Sequence, residues 1–424
     1  MSEGIENSLI SAVDNQQAQL LSITQELVQQ NSSNPPGDVS TVATIAARII
    51  GEVIPSSKVS IYEAAPGTIN VVAVIQGKIP GHGRKLVFSG HLDTYPIGDE
   101  EKWTFPPLGG VISEDGTRLY ARGATDMKGG IATSIIAASV LAEHNEHWSG
   151  EIVIALAGDE ETMGTLGSGY LLEHVNAVSQ CDAMICGDAG SPAVLRVGEK
   201  GLVWVEINAT GSPAHGAHVH RGSSAIERLI GAISALKDLE NLPVQNPQDV
   251  EDIITEAKTI SEPLGGAGEE RTLKRITVNI GTISGGVSAN LVAHKAQAEA
   301  DIRLPMAITA SRLVEHIHTV LDPLEGISFQ ITRQYDPSWT SPSQEIVRHT
   351  LAAARAVVSN EAAPVINLRV GASDARLFRQ KGIPSVIVGL TPHNMGGPDE
   401  YVQIEELSQV AKIHTLAAWR YLKA

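Results

Sequence analysis

Cysteine, positive charge and long apolar runs are all scarce in this sequence of 424 residues. The two cysteines, Cys181 and Cys186, lie in or beside the apolar stretch AMICG, so we expect thiols on a buried strand, not a redox pair or a disulfide. Lysine and arginine number 31 against 48 acidic residues, and the net charge of -17 disfavours nucleic acid and membrane surfaces as partners. No segment approaches the roughly 18 apolar residues of a membrane span, and the start lacks the basic and apolar parts of a signal peptide. We therefore expect a cytoplasmic protein.

Apolar residues and glycine are plentiful instead. Hydrophobic types make up 42% of the chain, and its 40 glycines are enough to furnish the many tight turns of an α/β protein. A chain of this length exceeds one ordinary hydrophobic core, so we expect two domains.

The first 200 residues alternate strand and helix patterns. KLVFSGH, at 85–91, and GEIVIALAGDEE, at 150–161, contain apolar runs typical of parallel strands that are covered on both faces. GGIATSIIAASVLAEH, at 129–144, lies between them and is typical of a buried helix. This order predicts a parallel-rich sheet with helices on both faces, and a similar pattern returns near the C-terminus, where IPSVIVGL predicts another buried strand.

The pattern changes after residue 200. LVWVEINATG, at 202–211, alternates apolar and polar residues, which predicts a strand with one face in water. Three further strands and two helices, near 223–239 and 308–321, predict a small α+β layer with a four-stranded sheet. The polar stretch 240–274, punctuated by proline and glycine, is interpreted as an insertion within it.

The resulting prediction is a catalytic domain made from two parts of the chain, residues 1–200 and 338–424. The α+β layer, residues 201–337, is inserted between them as a lid and dimerisation domain.

Histidine and acidic residues follow several of the predicted strands and turns. Taken singly, each has an ordinary explanation as a turn or helix-cap residue. Together, side chains at the C-terminal ends of sheet strands would converge on one crevice, where carboxylates without counterions are costly. A divalent metal would supply the missing charge. The candidate ligand positions are His91, Asp126, Glu160, Glu161, Asp188 and His393.

The ligand types indicate which metal is expected. Two histidines and three carboxylates, counting only one of the adjacent Glu160 and Glu161, suit zinc, with manganese or cobalt as substitutes, whereas calcium and magnesium favour oxygen ligands only. A carboxylate that bridges two metals leaves room for a shared water, and a pair roughly 3.5 to 4 Å apart can generate hydroxide near neutral pH.

Eight stretches, in order along nearly the whole chain, resemble the di-zinc exopeptidase and deacylase family. That family includes acetylornithine deacetylase, succinyl-diaminopimelate desuccinylase, aminoacylase and carboxypeptidase G. The stretches are SGHLDTYP, RGATDMKGG, GDEET, GDAG, GSPAHGAHVHRGSSAI, GGVSANLVAHKAQAEADIRLP, GASDARLF and PHNMGGPDEYV.

The resemblance implies two divalent metal ions per chain and a role for each candidate. Asp93 would orient the His91 ring through its far nitrogen, and the bond from Asp126 to Met127 would be cis. One metal would be held by His91 and Asp188 and the other by Glu161 and His393, with Asp126 bridging.

The resemblance also implies the groups that carry out the reaction. Glu160 would act as the general base, taking a proton from the bridging water and passing it to the leaving nitrogen. His215 matches the histidine that reaches across a dimer to stabilise the oxyanion in the partner's site. The stretch HGAHVH also contains His218 and His220 and could be mistaken for a metal-binding cluster, but these two histidines are interpreted as residues that lead into the following helix.

Asn290, Arg303 and Gly371 fall where the family contacts a substrate carboxylate. Arg303 has the fork that fits a carboxylate, but it could equally pair with Asp301 or Glu299 on its own strand. The sequence departs from the family near this site. Alanine stands at 372 where threonine is common, valine stands at 219 where proline is common, and the stretch NMGGP after His393 is long.

The sequence therefore predicts a metal-dependent hydrolase of a C–N bond, with the amide of an N-acyl amino acid or a small peptide as the favoured target. The expected substrate is a small molecule with a carboxylate, and the expected assembly is a homodimer through the lid. Hydrolytic deamination of a small aromatic amine at the same dinuclear site, a non-catalytic binding protein on this fold and a two-metal phosphoesterase are the alternatives. The phosphoesterase is disfavoured because the ligands have no basic cluster beside them.

Overall fold

A computed structural model of the protein describes residues 2–81, 83–358 and 363–423, without the side chains of residues 2 and 3. The chain forms two compact units. The first unit comprises Met1–Val197, Thr340–Asn367 and Ser373–Ala424, and the second comprises Gly198–Trp339 and Leu368–Ala372.

The helices are given in chain order, followed by the strands. The α-helices are α1 Ser2–Asn15, α2 Gln17–Val28, α3 Ser40–Val53, α4 Gly129–Glu143, α5 Tyr170–His174, α6 Asn176–Ser179, α7 Ala225–Lys237, α8 Gln248–Gly265, α9 Glu269–Lys274, α10 Ala310–Leu321, α11 Glu345–Val357, α12 Ala375–Gln380 and α13 Ile404–Leu422. The strands are β1 Lys58–Ala65, β2 Thr68–Gln76, β3 Lys85–His91, β4 Val111–Ile112, β5 Arg118–Tyr120, β6 Glu151–Ala157, β7 Ala183–Cys186, β8 Val194–Glu199, β9 Gly201–Thr210, β10 Thr277–Gly285, β11 Lys295–Leu304, β12 Ile327–Tyr335, β13 Ser338–Trp339, β14 Val365–Arg369, β15 Ser385–Ile387 and β16 Tyr401–Gln403.

The main sheet has the strand order β1-β2-β6-β3-β7-β15-β8-β13, and β14 pairs with β8. Its centre is parallel, because β3 runs parallel to β6 and β7, and β15 runs parallel to β7. Strands β3 and β6 are buried along nearly their whole length, as expected for strands covered on both faces. Helix α4 is buried from Gly129 to Leu141, which explains its all-round apolar sequence. The predicted fold class is confirmed.

The second unit holds a four-stranded antiparallel sheet in the order β10-β11-β9-β12. On β9, Val203, Val205 and Ile207 are buried and the intervening residues face outward, which is the alternation predicted from the sequence. Leu229 of α7 and Leu313 of α10 belong to the same buried cluster. The unit therefore has a hydrophobic core of its own.

The predicted insertion 240–274 is largely helical. Val250, Ile253, Ile254 and Ala257 are buried along α8 at the spacing of one helix face. Lys200 anchors the segment, since its Nζ donates to the carbonyls of Thr272 at 2.6 Å and Arg275 at 2.7 Å. These bonds satisfy carbonyls at the end of α9 that have no partner within the helix.

Both cysteines are free and buried. Cys186 lies on strand β7 as predicted, whereas Cys181 lies two residues before that strand, so the prediction of a strand thiol is wrong for Cys181. Burial raises the pKa of Cys181 to about 12 and raises that of Cys186 still further, so both thiols stay protonated and unreactive. Among the described residues, no helix combines the length and the apolar character that crossing a bilayer requires.

His414 is a buried histidine in the core of the first unit. Its Nε2 donates to the carbonyl of Val388 at 2.8 Å, and its ring stacks on Phe88 with centroids 5.5 Å apart. Desolvation lowers the pKa of His414 to about 4, with the bond to Val388 opposing the shift. The imidazole therefore has to be neutral in the folded protein.

We expect this histidine to lower the free energy of unfolding as the pH falls. The unfolded state takes up the proton near pH 6.5 and the folded state near pH 4, so stability present above pH 6.5 is lost as the pH falls towards 4. The loss amounts to at most about 3 kcal/mol, and His414→Gln, which retains a donor for Val388, should remove it. Unfolding of the wild type and of His414→Gln in denaturant at pH 7.5, 6 and 4.5, with a chelator in every sample, measures how the free energy of unfolding of each protein depends on pH. Parallel pH dependences for the two proteins would show that His414 makes no such contribution.

Candidate metal centre

The predicted ligands lie where parallel strands of the first unit end. His91 is the last residue of β3, Glu161 lies four residues beyond β6, and Asp188 lies two residues beyond β7. In the sheet, His91 is level with Ala157 at the end of β6. The three side chains therefore leave the same edge of the sheet, as the ends of parallel strands must.

Asp126 reaches the same place from an irregular turn, Ala124–Lys128, which precedes α4. The Asp126–Met127 peptide bond is cis, as the resemblance implied. A close approach brings α4 to the strand ends, since a Cβ on Gly130 would lie 2.0 Å from the carbonyl oxygen of Gly187. Only glycine fits at position 130, and the positive end of the α4 dipole is thereby held beside Asp188.

Two groups of potential ligands form around His91. His91, Asp126 and Asp188 each offer a ligand atom within 4.8 Å of the others, and so do His91, Glu160 and Glu161. The Nε2 of His91 lies 3.1 Å from Oδ1 of Asp126. Of the six candidate ligand positions identified from the sequence, the structure brings these five together.

Asp93 links His91 to the acidic turn. The Nδ1 of His91 lies 2.9 Å from the backbone carbonyl of Asp93 and 3.6 Å from its carboxylate. The carboxylate accepts the backbone N–H groups of Glu160 at 3.1 Å and Glu161 at 3.0 Å, and the side-chain amide of Asn34 at 2.9 Å. Asp93 thus contacts the far nitrogen of His91, and its carboxylate fixes the turn that carries both glutamates.

The electrostatics of the cluster favour a bound cation. Desolvation, followed by the charge of Asp126, raises the pKa of Glu161 to about 8, and desolvation also raises the pKa of Glu160 well above its usual range. Desolvation lowers the pKa of His91, but hydrogen bonds to Asp126 and Asp93 and the charge of Glu160 raise it well above its usual value.

The residues present fit a divalent metal. Oε1 of Glu161 is buried without a hydrogen-bond partner among the described residues, which is costly for a carboxylate oxygen unless an ion contacts it. A bound cation would favour the ionised form of each carboxylate and reverse the pKa shifts. Imidazole and carboxylate donors together are the set that zinc, manganese and cobalt accept.

His393 lies outside the two groups, within the described part of the chain. Its ring stacks on Tyr401 with centroids 4.5 Å apart and an interplanar angle of 4°. Desolvation lowers the pKa of His393, which favours the neutral imidazole that a metal requires. Its assignment as a ligand remains a prediction.

Within the second unit, the structure brings two sequence-predicted positions together. The segments around His215 and Asn290 pair through bonds from Gly216 N–H to the Asn290 carbonyl at 2.7 Å and from Val292 N–H to the Ala214 carbonyl at 2.8 Å. His215 is exposed, and its Nδ1 accepts the N–H of Ala217 at 3.1 Å. In the neutral ring the proton therefore resides on Nε2, which is left as a donor.

Arg303 and Gly371, both expected to contact a substrate carboxylate, differ in whether other groups already contact them. Arg303 forms a two-pronged bond to Asp301, with Nε–Oδ1 at 2.9 Å and Nη2–Oδ2 at 3.0 Å, which is the alternative considered from the sequence. Gly371 has open space around it, since a Cβ there would meet only the side chain of Arg369, at 3.7 Å.

Four buried residues of the first unit were not identified from the sequence. Asp374 accepts the Ser168 hydroxyl at 2.7 Å, and desolvation raises its pKa to about 6. Its charge contributes to the raised pKa of Glu160. A charged residue within a motif is a signal that could have identified such positions, because a charge that becomes buried needs a partner. The sequence does not reveal which residue that partner is. The residues are Asn34, Arg122, Asp374 and Glu400.

Comparison with known proteins places this site in a family. The signature described as "Peptidase family M20/M25/M40" matches residues 87–420. Succinyl-diaminopimelate desuccinylase of Rhodospirillum centenum is 27% identical over 361 residues, which cover 84% of this chain and 86% of the relative. The enzyme of the same name from Methylorubrum populi is 28% identical over 362 residues, with 82% and 86% covered.

Solved structures support the fold. The M20 family metallo-carboxypeptidase Sso-CP2 of Sulfolobus solfataricus has a TM-score of 0.77 at 20% identity, with 95% of this chain and 99% of that one covered. The YXEP protein of Bacillus subtilis, described as a dinuclear metal-binding peptidase from the M20 family, has a TM-score of 0.65 at 15% identity, with 96% and 99% covered.

The cluster predicts metal dependence. We expect the purified protein to bind about two divalent ions per chain and to lose turnover in a chelator, with zinc, manganese or cobalt restoring it. Asp188→Ala should lower the metal content, because it removes a ligand atom from the cluster. Asp182→Ala is the matched control, since Asp182 precedes β7 at its opposite end and accepts the N–H of Lys85. Elemental analysis measures the metal content of both variants. Full turnover by metal-free protein would rule out the assignment of these residues as ligands of a catalytic metal.

Proposed function

This chain belongs to peptidase family M20/M25/M40 and is a hydrolytic enzyme, and from that premise we propose that it cleaves the amide bond of an N-acyl amino acid or small peptide. The observation that carries the proposal is the convergence of His91, Asp126, Asp188, Glu160 and Glu161 at one edge of the sheet. Membership of the family removes the support for a non-catalytic binding protein.

The ligands would be shared between two divalent ions. His91 and Asp188 would hold one ion, Glu161 and His393 the other, and Asp126 would bridge them. Zinc suits this donor set best. When bound, the ions would act as Lewis acids and lower the pKa of water at the site.

Glu160 is the residue that we propose moves protons. It lies in a group with His91 and Glu161, and its backbone N–H is held by Asp93, so the base would be fixed beside a ligand without being one. It would take a proton from the attacking water and deliver it to the leaving nitrogen.

Substrate recognition is assigned to Asn290, Arg303 and Gly371, which would contact a substrate carboxylate. For Arg303 this requires exchange of its partner Asp301. Hydrolysis of an aromatic amine would use the same ligands and the same base. Turnover of N-acetyl, N-succinyl and N-aryl amino acids, dipeptides and amino-substituted benzoates by the metal-loaded enzyme distinguishes the two reactions.

The second unit supports a homodimer. Ile226 and Ile230 of α7 are 36% and 57% exposed, and Ile283 on β10 is 59% exposed. Strand β10 stands at an edge of its sheet, and Gly285 at its end lies against Ile226. An apolar patch beside an open strand edge is suited to a second copy of the same surface.

We expect Glu160→Gln to separate catalysis from folding. The glutamine keeps the size of the side chain but cannot accept the proton, so turnover should fall roughly a hundredfold to ten-thousandfold while metal content is retained. Glu151→Gln, at the opposite end of β6, is the control and should retain turnover. Steady-state kinetics with elemental analysis tests this, and a Glu160→Gln enzyme with wild-type turnover would place the base elsewhere.

If His215 completes the partner's site, two inactive variants should complement each other. A dimer of one His215→Ala chain and one Glu160→Gln chain would have both defects in one site and none in the other. Random exchange makes about half of the dimers mixed, so mixing should recover roughly a quarter of wild-type activity. Each variant alone should lose on the order of a hundredfold or more in turnover.

The control adds Ile230→Glu to both chains, which places a charge in the apolar patch. This substitution should abolish dimer formation and, with it, the recovery of activity on mixing. Differently tagged chains report subunit exchange. Exchange without recovery would mean that His215 serves its own chain or has no catalytic role.

A further inference from the structure

A buried ion pair lies behind the proposed metal ligands. We propose that Arg122 and Glu400 are positioning residues that hold the loops carrying Asp126 and His393 in a fixed arrangement and so set the affinity for metal. The inference rests on the ligand assignment made above, but its structural basis is independent of the reaction catalysed.

Glu400 holds the backbone around Asp126. Its Oε1 accepts the N–H of Thr125 at 3.1 Å and that of Asp126 at 3.4 Å. Two further bonds join the segment around Asp126 to the segment around Glu400. The Thr125 hydroxyl donates to the Tyr401 carbonyl at 2.8 Å, and the Ala121 N–H donates to the Glu400 carbonyl at 3.0 Å. The position of Asp126 therefore depends on the loop that ends at Glu400.

Arg122 holds that loop from the other side. Its Nη1 donates to Oε2 of Glu400 at 2.5 Å, and its Nη2 donates to the carbonyls of Gly396 and Gly397, both at 3.1 Å. The guanidinium lies 5.2 Å from the ring centroid of Trp103. One planar group thus spans the carboxylate and two carbonyls of the segment that follows His393, which a lysine could not do.

Stability alone does not account for this pair. The side chains are 2% and 1% exposed, and at that depth the desolvation of two ions offsets most of their attraction. Arg122 instead donates to carbonyls of the segment that follows His393, and Glu400 accepts backbone N–H groups of the segment that carries Asp126. Groups that orient metal ligands from behind typically change affinity by about 10- to 100-fold when altered.

Two double variants provide the test. A single substitution leaves one buried charge without its partner and could unfold the protein, whereas both doubles remove both charges. Arg122→Met/Glu400→Gln retains a carbonyl oxygen that can accept from Thr125 and Asp126, and Arg122→Met/Glu400→Met does not. We expect the methionine double to bind metal about 10- to 100-fold more weakly than wild type. The glutamine double should bind metal several-fold more tightly than the methionine double.

Metal affinity is measured by competition with a chelating dye. Amide hydrogen exchange over residues 121–127 of the metal-free proteins is the second measurement, and exchange should be faster in the methionine double than in the glutamine double. This readout does not depend on turnover, so it separates failure of the positioning role from failure of the proposed function. Equal metal affinity and equal exchange in the two doubles would overturn the proposal.

Arg122→Lys covers the case in which neither double folds. The lysine keeps the positive charge next to Glu400 but cannot reach both glycine carbonyls. We expect metal affinity to fall several-fold while the unfolding temperature of the metal-free protein stays near that of wild type. Wild-type metal affinity in this variant would equally overturn the proposal.

Discussion

Four carboxylates, those of Asp126, Glu160, Glu161 and Asp188, lie around His91 in the first unit, and the other features of the site depend on this crowding. Ionised carboxylates are costly to bury, and each raises the pKa of its neighbours. Protonating them would relieve the repulsion but would also remove the ligands. A divalent cation would hold the group in its ionised form, which is why the clustering of these carboxylates argues for a metal.

The sheet explains how the carboxylates come to be so close. Parallel strands β3, β6 and β7 end at one edge, and each is followed within a few residues by a histidine or an acid. The turn after β6 is then held by Asp93 through two backbone N–H groups, so a residue two positions beyond β3 determines where Glu160 and Glu161 stand. Fold and site are therefore specified by the same pairing of strands.

Much of this could be predicted because the signal is local. The apolar runs of β3 and β6, the alternation along β9 and the helices α7 and α10 follow from periodicity within each segment. The helical nature of α8 was less evident, since its buried face is masked by polar residues and by Pro263 near its end. Partners that lie far apart in sequence could not be derived at all. Nothing local in the sequence joins Arg122 to Glu400 or Asn34 to Asp93, because each contact exists only after the sheet has formed.

Arg303 is one of the residues proposed to contact a substrate carboxylate, and its existing partner limits how well it could select a substrate. Its fork already binds Asp301, so a substrate carboxylate would have to replace an existing partner instead of filling an empty position. The two side chains are 26% and 30% exposed, and an ion pair so close to solvent contributes at most about 1 kcal/mol. Exchange of partners would therefore cost little, which leaves Arg303 competent to bind a carboxylate but gives it little power to select among carboxylates. Discrimination between substrates would then have to come from the shape of the surrounding walls, which the motifs shared across the family do not encode.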